Sequence, residues 1–150
     1  MATPVKSRPR RGRSASRELA LQALYQWQIG GQDGQDVMLE FLAERMTQGA
    51  DEAFFKELVT QTTGRSTELD AGLSEFSDRP MTQLDPVEHA ILLIGFYELA
   101  HRPEIPWRVV INEAVDLCRR YGGSEGHKFV NALLDRAARR HRALETGAAG

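Results

Sequence analysis

WRVVINEAVDLCRRYGGSEGHKFVNALLD, Trp107 to Asp135, reads as two amphipathic helices joined by a glycine turn. On the first helix Val110, Ala114, Val115 and Cys118 recur at three- and four-residue spacing, the period of one helical face. Gly122-Gly123 supplies the left-handed residue that commonly closes a helix, and Ser124 is placed to cap the next one. There Phe129, Val130, Leu133, Leu134 and Ala137 repeat the pattern. Packing does not ask for Asn112, Glu113, His127, Lys128 or Asn131, which makes these polar residues candidates for another purpose.

Outward from this hairpin the chain remains helical in pattern. Asp85-Pro86-Val87-Glu88 is the clearest start signal, with a cap residue, proline in the first position and glutamate in the third. Val87, Ala90 to Ile94, Phe96, Tyr97 and Leu99 leave almost no wet face, so the following helix belongs at the centre, with Gly95 permitting close approach. Upstream, Ser14 or Ser16 is expected to cap a helix bearing Leu21, Leu24 and Tyr25 that ends at Gly30-Gly31. Asp36 is a candidate cap for a short second helix, and Asp51 for a third that breaks between Thr60 and Thr67. Six or seven helices without alternating strand patterns or tandem repeats predict an all-α single domain.

The 150 residues suffice to bury a core without disulfides or metals. The lone cysteine, Cys118, falls on an apolar helix face and reads as a small hydrophobe. No apolar run approaches membrane-spanning length and no signal-peptide core follows the basic N-terminus, so a cytoplasmic protein with no membrane association is expected. Residues 1–17 contain Lys6, Arg8, Arg10, Arg11, Arg13 and Arg17 with no acid, a local +6, while 13 basic and 21 acidic residues leave −8 on the remainder. Such a split suits an arm that seeks a polyanion. Residues 1–13 read as a disordered basic arm, 14–143 as the folded domain and 144–150 as a frayed tail.

Catalysis has little support in the sequence. There is no glycine-rich phosphate loop, no paired histidines of metal-ligand spacing and no nucleophile elbow, so neither catalytic residues, a cofactor nor a metal is expected. Lys128, Phe129 and Asn131 instead combine a cation, an aromatic ring and an amide near a helix start, a set able to stack on and hydrogen-bond single-stranded RNA.

Arg17–Trp27 (RELALQALYQW), Glu98-Leu99, Ile105-Pro106, Ile111–Val115 (INEAV) and Lys128–Asp135 (KFVNALLD) together resemble the NusB family of bacterial transcription antitermination factors. RNA cytosine methyltransferases carry a similar N-terminal domain ahead of a large catalytic domain, for which 150 residues leave no room. The resemblance implies two packed three-helix bundles with an additional helix, and a protein that is not an enzyme. It implies binding of boxA-type single-stranded RNA from ribosomal RNA leaders together with ribosomal protein NusE, which helps RNA polymerase read through terminators. By position it assigns RNA contacts to Arg10, Arg11, Arg13, Arg17, Lys128 and Phe129, and NusE contacts to Tyr25, Glu88 and Glu125. Homodimers are also compatible with it. On this reading, removing residues 1–13 would weaken RNA binding and flatten its salt dependence with the melting temperature nearly unchanged, and Glu88→Lys would weaken NusE binding without unfolding. The competing readings are a detached targeting domain of an RNA-modifying enzyme and a purely structural helical oligomer.

Overall fold

The structure, a computed structural model, describes residues 10–148. Among them the helices are α1 (Gly12–Gly30), α2 (Gly34–Glu44), α3 (Glu52–Gly64), α4 (Ser66–Ser74), α5 (Pro86–His101), α6 (Trp107–Tyr121), α7 (Gly126–His141) and α8 (Ala143–Thr146), with one 3-10 turn at Met81–Gln83. Helices α1, α2 and α3 pack as one three-helix bundle and α5, α6 and α7 as another. Additional contacts come from α4 against α5, and α1 meets α5 where the bundles join.

The centre is α5, as its composition demands. The Asp85 carboxylate accepts from the Val87 and Glu88 N–H groups at 3.0 and 3.2 Å, with Pro86 in the first turn where its missing donor costs nothing. Every residue from Ala90 to Leu99 is buried. Each leucine or isoleucine in that run contributes on the order of 2 kcal/mol of transfer free energy. A Cβ on Gly95 would lie 2.9 Å from Leu134, so the glycine is what lets α7 approach. The break in the third predicted helix falls at Arg65, after Thr60, Thr62 and Thr63 each turn their hydroxyls back on carbonyls of the preceding turn. Asp51 caps α3 through the Phe54 N–H at 3.0 Å.

Other caps differ from expectation, because tertiary partners take the side chains. Neither Ser14 nor Ser16 caps α1: Ser14 donates to Glu113 at 2.7 Å and Ser16 to the Asp51 carbonyl at 2.5 Å. The helix instead begins inside the predicted arm, where Gly12, at φ +56°, exchanges backbone hydrogen bonds with Gly49 and Asp51. Residues 10–13 are therefore part of the fold, while residues 1–9 lie outside the described residues. Asp36 falls within α2 rather than at its cap, which is Asp33. Ser124 makes no cap to α7. Gly122 is not left-handed but extended, at φ −91°. Its glycine answers crowding, since a Cβ would sit 2.8 Å from the Cys118 carbonyl and 2.9 Å from its sulfur.

The expected fray from Leu144 is also corrected, for residues 143–146 form α8. Arg142, 6% exposed, explains why. Its guanidinium donates to the carbonyls of Glu98, Leu99, Arg102 and Ile105 at 2.8 to 3.1 Å, satisfying groups that the end of α5 leaves open. Glu145 then accepts from Arg142 at 2.6 Å and from the first N–H of α6, that of Trp107, at 2.9 Å. The Trp107 N–H, and after it Arg142, hold the Glu145 carboxyl below the usual carboxylate range. A depressed carboxyl stabilises the fold above its unfolded pKa and loses that effect as pH falls through its folded value. Glu145→Gln is therefore expected to lower the melting temperature by about 3 °C at neutral pH, the cost of roughly 1 kcal/mol for one helix cap. Thermal scans in acid should show the gap to the parent closing below about pH 4.

Candidate nucleic-acid interface

The basic residues at the start of α1 divide by burial. Arg17 is 4% exposed and pairs bidentately with Glu98, itself 1% exposed, at 2.7 and 2.9 Å. Burial pushes the Glu98 carboxyl upward, and the Arg17 guanidinium opposes that rise. Glu113 lies 3.8 Å from the same guanidinium, whose carbon stands 5.2 Å from the Phe54 ring centre. Arg17 is thus bound into the protein, which corrects its expected role as a direct RNA contact. Arg10 is likewise folded inward, bonded to Glu113 and 3.5 Å from Asp116 on α6. Both arginines follow carboxylates on other helices, which a run of basic residues does not reveal.

Arg11 and Arg13 face solvent. Arg13 reaches Asp51 at 3.7 Å and lies over Phe54 at 4.7 Å, an exposed contact worth no more than about 1 kcal/mol. These two cations remain available to a phosphate. The latching of Arg10 and the backbone pairs of Gly12 also revise the expected effect of removing residues 1–13, which would cost stability as well as charge.

On the hairpin, Lys128 is exposed and pairs across one turn with Glu125 at 2.8 Å. Phe129 points elsewhere: it is half-buried against the core, with the Arg79 guanidinium 3.9 Å from its ring centre. One ring face is occupied by this cation–π contact. Glu113 ties α6 to the arm rather than to α7, and Asn112 projects to solvent.

The expected partner residues lie on a continuous side of the molecule. Tyr25, 42% exposed, lines a largely apolar groove of about 550 Å³ with Leu21, Ile29, Phe41, Val87 and Tyr121. Tyr121 donates to Glu18 and accepts from Gln22 at 3.2 Å, which fixes one wall. Next to Val87, Glu88 is 9% exposed, and its carboxyl fills the space that a Cβ on Gly126 would enter at 2.4 Å. Burial, and then the charge of Asp85, push this carboxyl up. Glu125, adjacent to Gly126, is exposed. Because Glu88 is largely enclosed, Glu88→Lys would force a long cation against Gly126 and disturb the fold, contrary to the sequence expectation.

No three histidine, cysteine, aspartate or glutamate side chains converge as metal ligands among the described residues. Burial, with Glu88 and Asp85 nearby, pushes the Cys118 thiol up to about 11, which keeps it protonated and inert. Among the same residues no helix is long and apolar enough to cross a membrane.

Comparison with known proteins agrees with this arrangement. The transcription antitermination protein NusB of Nitrosococcus oceani is 50% identical over 133 residues, covering 89% of each chain. That of Hahella chejuensis is 45% identical over 137 residues, covering 91% of this chain and 92% of its own. The structure of T. maritima NusB superposes with a TM-score of 0.76 at 26% identity, covering 94% of both chains. A crystal structure of antitermination factors NusB and NusE in complex with dsRNA contains a chain of the same fold, with a TM-score of 0.77 at 24% identity over 85% of this chain and 96% of that one. With the NusB family model matching residues 14–139, from the first turn of α1 almost to the end of α7, the chain belongs to the NusB family.

Proposed function

We propose that the protein is a non-catalytic, RNA-binding transcription antitermination factor of the cytoplasm. Together with ribosomal protein NusE it holds boxA RNA of ribosomal RNA leader transcripts within the RNA polymerase antitermination complex and promotes read-through. The observation that carries this reading is the coexistence of two unlike surfaces on one rigid fold. Arg11, Arg13 and Lys128 are exposed cations, whereas Tyr25 stands on an apolar groove and Glu125 is an exposed carboxylate, with Glu88 largely enclosed behind Val87. The first suits a phosphate backbone and the second a protein that is apolar and basic at its contact surface. The NusB relatives and the NusB–NusE–RNA complex of the same fold support that division. Arg10 and Arg17 serve by fixing the start of α1, so that Arg11 and Arg13 are presented from a rigid base.

Two measurements test the two surfaces separately. Replacing Arg11 and Arg13 together by alanine should reduce the slope of log affinity against log salt by about 1.4, at roughly 0.7 per lost phosphate contact, with the melting temperature nearly unchanged. An unaltered slope in filter binding to boxA RNA would remove these arginines from the interface. Tyr25→Ala, which truncates an exposed side chain, should weaken NusE binding by about tenfold or more in calorimetry, the effect of a central aromatic anchor. It should leave RNA binding by the isolated protein unchanged. Normal NusE affinity in that variant would place the partner elsewhere.

A further inference from the structure

Beside the Tyr25 groove lies a second depression, of about 420 Å³, where α1, α4 and α5 meet. Trp27 and Gln28 come from the end of α1, Ser66 and Asp70 from one face of α4, and His89 and Leu93 from α5. The two hollows are neighbours: Gly30 and Val87 border the first, Gly31 and His89 the second. Between them Gln28 donates to the Pro86 carbonyl at 3.1 Å, tying the end of α1 to the opening of α5.

The polar groups of this depression are held in place but only partly used. His89 Nε2 lies 2.6 Å from Asp70 Oδ1, the ring donating to the carboxylate, with the two side chains 17% and 34% exposed. Asp70 Oδ2 takes no hydrogen bond among the described residues, and the Ser66 hydroxyl makes none. Gln28 spends its amino group on Pro86, which leaves its side-chain carbonyl open. No lysine or arginine lines the depression. Trp27 is half-buried and, unlike Trp107 and Phe129, has no cation over its ring among the described residues. Two open acceptors, one of them charged, beside an indole and a leucine suit a cation that also has apolar length. Arginine has that form: its methylenes cover apolar surface while its planar fork donates to two acceptors at once.

Resting on the NusE-binding reading above, we propose that this depression is a charged subsite of the partner face, which receives an arginine side chain of the same basic protein that covers the Tyr25 groove. The guanidinium pairs with Asp70 Oδ2, donates to the Gln28 carbonyl and lies against Trp27. Continuity favours a single partner, since a protein lying across Tyr25, Gly30 and Val87 reaches Gly31 and His89 without leaving the surface. The first groove supplies apolar area. The second supplies orientation, because a charge pair fixes the register of an interface more than its size.

The test measures NusE binding by calorimetry on the whole chain altered only at this depression. Asp70→Asn keeps the shape and an acceptor for His89 while removing the charge. NusE affinity is expected to fall about tenfold, the loss of a charge-assisted hydrogen bond, with a shallower salt dependence. Ser66→Asp places an acid in the first turn of α4, where the helix dipole favours it, and is expected to tighten binding about threefold. Ser66→Lys should weaken it. Tightening cannot come from a damaged fold, so the Ser66 variants decide the matter if Asp70→Asn melts early. Parent-like NusE affinity in Asp70→Asn and both Ser66 variants, with Tyr25→Ala still impaired, overturns the subsite and leaves the partner face standing. Equal weakening by Ser66→Asp and Ser66→Lys overturns the role of charge and with it the proposal. A parent protein that binds no NusE overturns both readings.

Discussion

Arg17 and Glu98 form the contact on which the rest of the molecule depends. They are almost wholly withdrawn from water, and they join α1 of the first bundle to α5 of the second. Desolvating a guanidinium and a carboxylate costs several kcal/mol per ion, which bidentate geometry repays only when both groups meet. Removing either partner leaves a buried charge and costs roughly 3 to 5 kcal/mol, whereas an apolar pair of equal volume would cost far less. The pair therefore contributes registry more than net stability. One rotational setting of α1 on α5 satisfies it, and the same setting brings Arg10 and Ser14 to Glu113. Arg142 reinforces the other side of Glu98 by taking its carbonyl, so the C-terminal helix closes onto the same junction.

Much of the fold was legible because its signals are local. The cap at Asp85, the proline after it and the unbroken apolar run declare α5 without reference to any other part of the chain. Asp51 and the threonine-rich break before Arg65 are equally self-contained. The misread positions share a cause: their side chains answer residues far away in sequence. Ser14 resembles a helix cap until Glu113, 99 residues on, claims its hydroxyl. Arg17 belongs by composition to a basic arm, yet its partner is 81 residues distant. Gly122 looks like a left-handed stop, but the demand on it is steric and comes from Cys118 on its own helix.

The candidate site was legible to a similar depth. Periodicity flagged Asn112, Lys128 and Asn131 as polar residues with no packing duty, and the structure leaves all three exposed. It could not say which side of α7 Phe129 would choose. The core and Arg79 decide that, turning an apparent Lys128–Phe129 unit into two residues with different surroundings. Nor could spacing show that Glu88, at a helix opening that suits an exposed acid, would be enclosed by the glycine of another helix.

Burial also determines which cations can exchange a protein carboxylate for a phosphate. An exposed pair such as Lys128–Glu125 or Arg13–Asp51 is worth little in water, so a polyanion can displace it at small cost. The Arg17–Glu98 pair cannot follow, because parting it would strand a charge in the core. Arg10 stands between these limits, being enclosed by carboxylates on α6 that are themselves partly exposed. Successive residues of that helix look in different directions: Glu113 holds the arm while Asn112 faces solvent. The helix thus anchors the start of α1 through Glu113, so where Arg11 and Arg13 emerge is set by helical geometry and kept by the buried Arg17–Glu98 pair beneath.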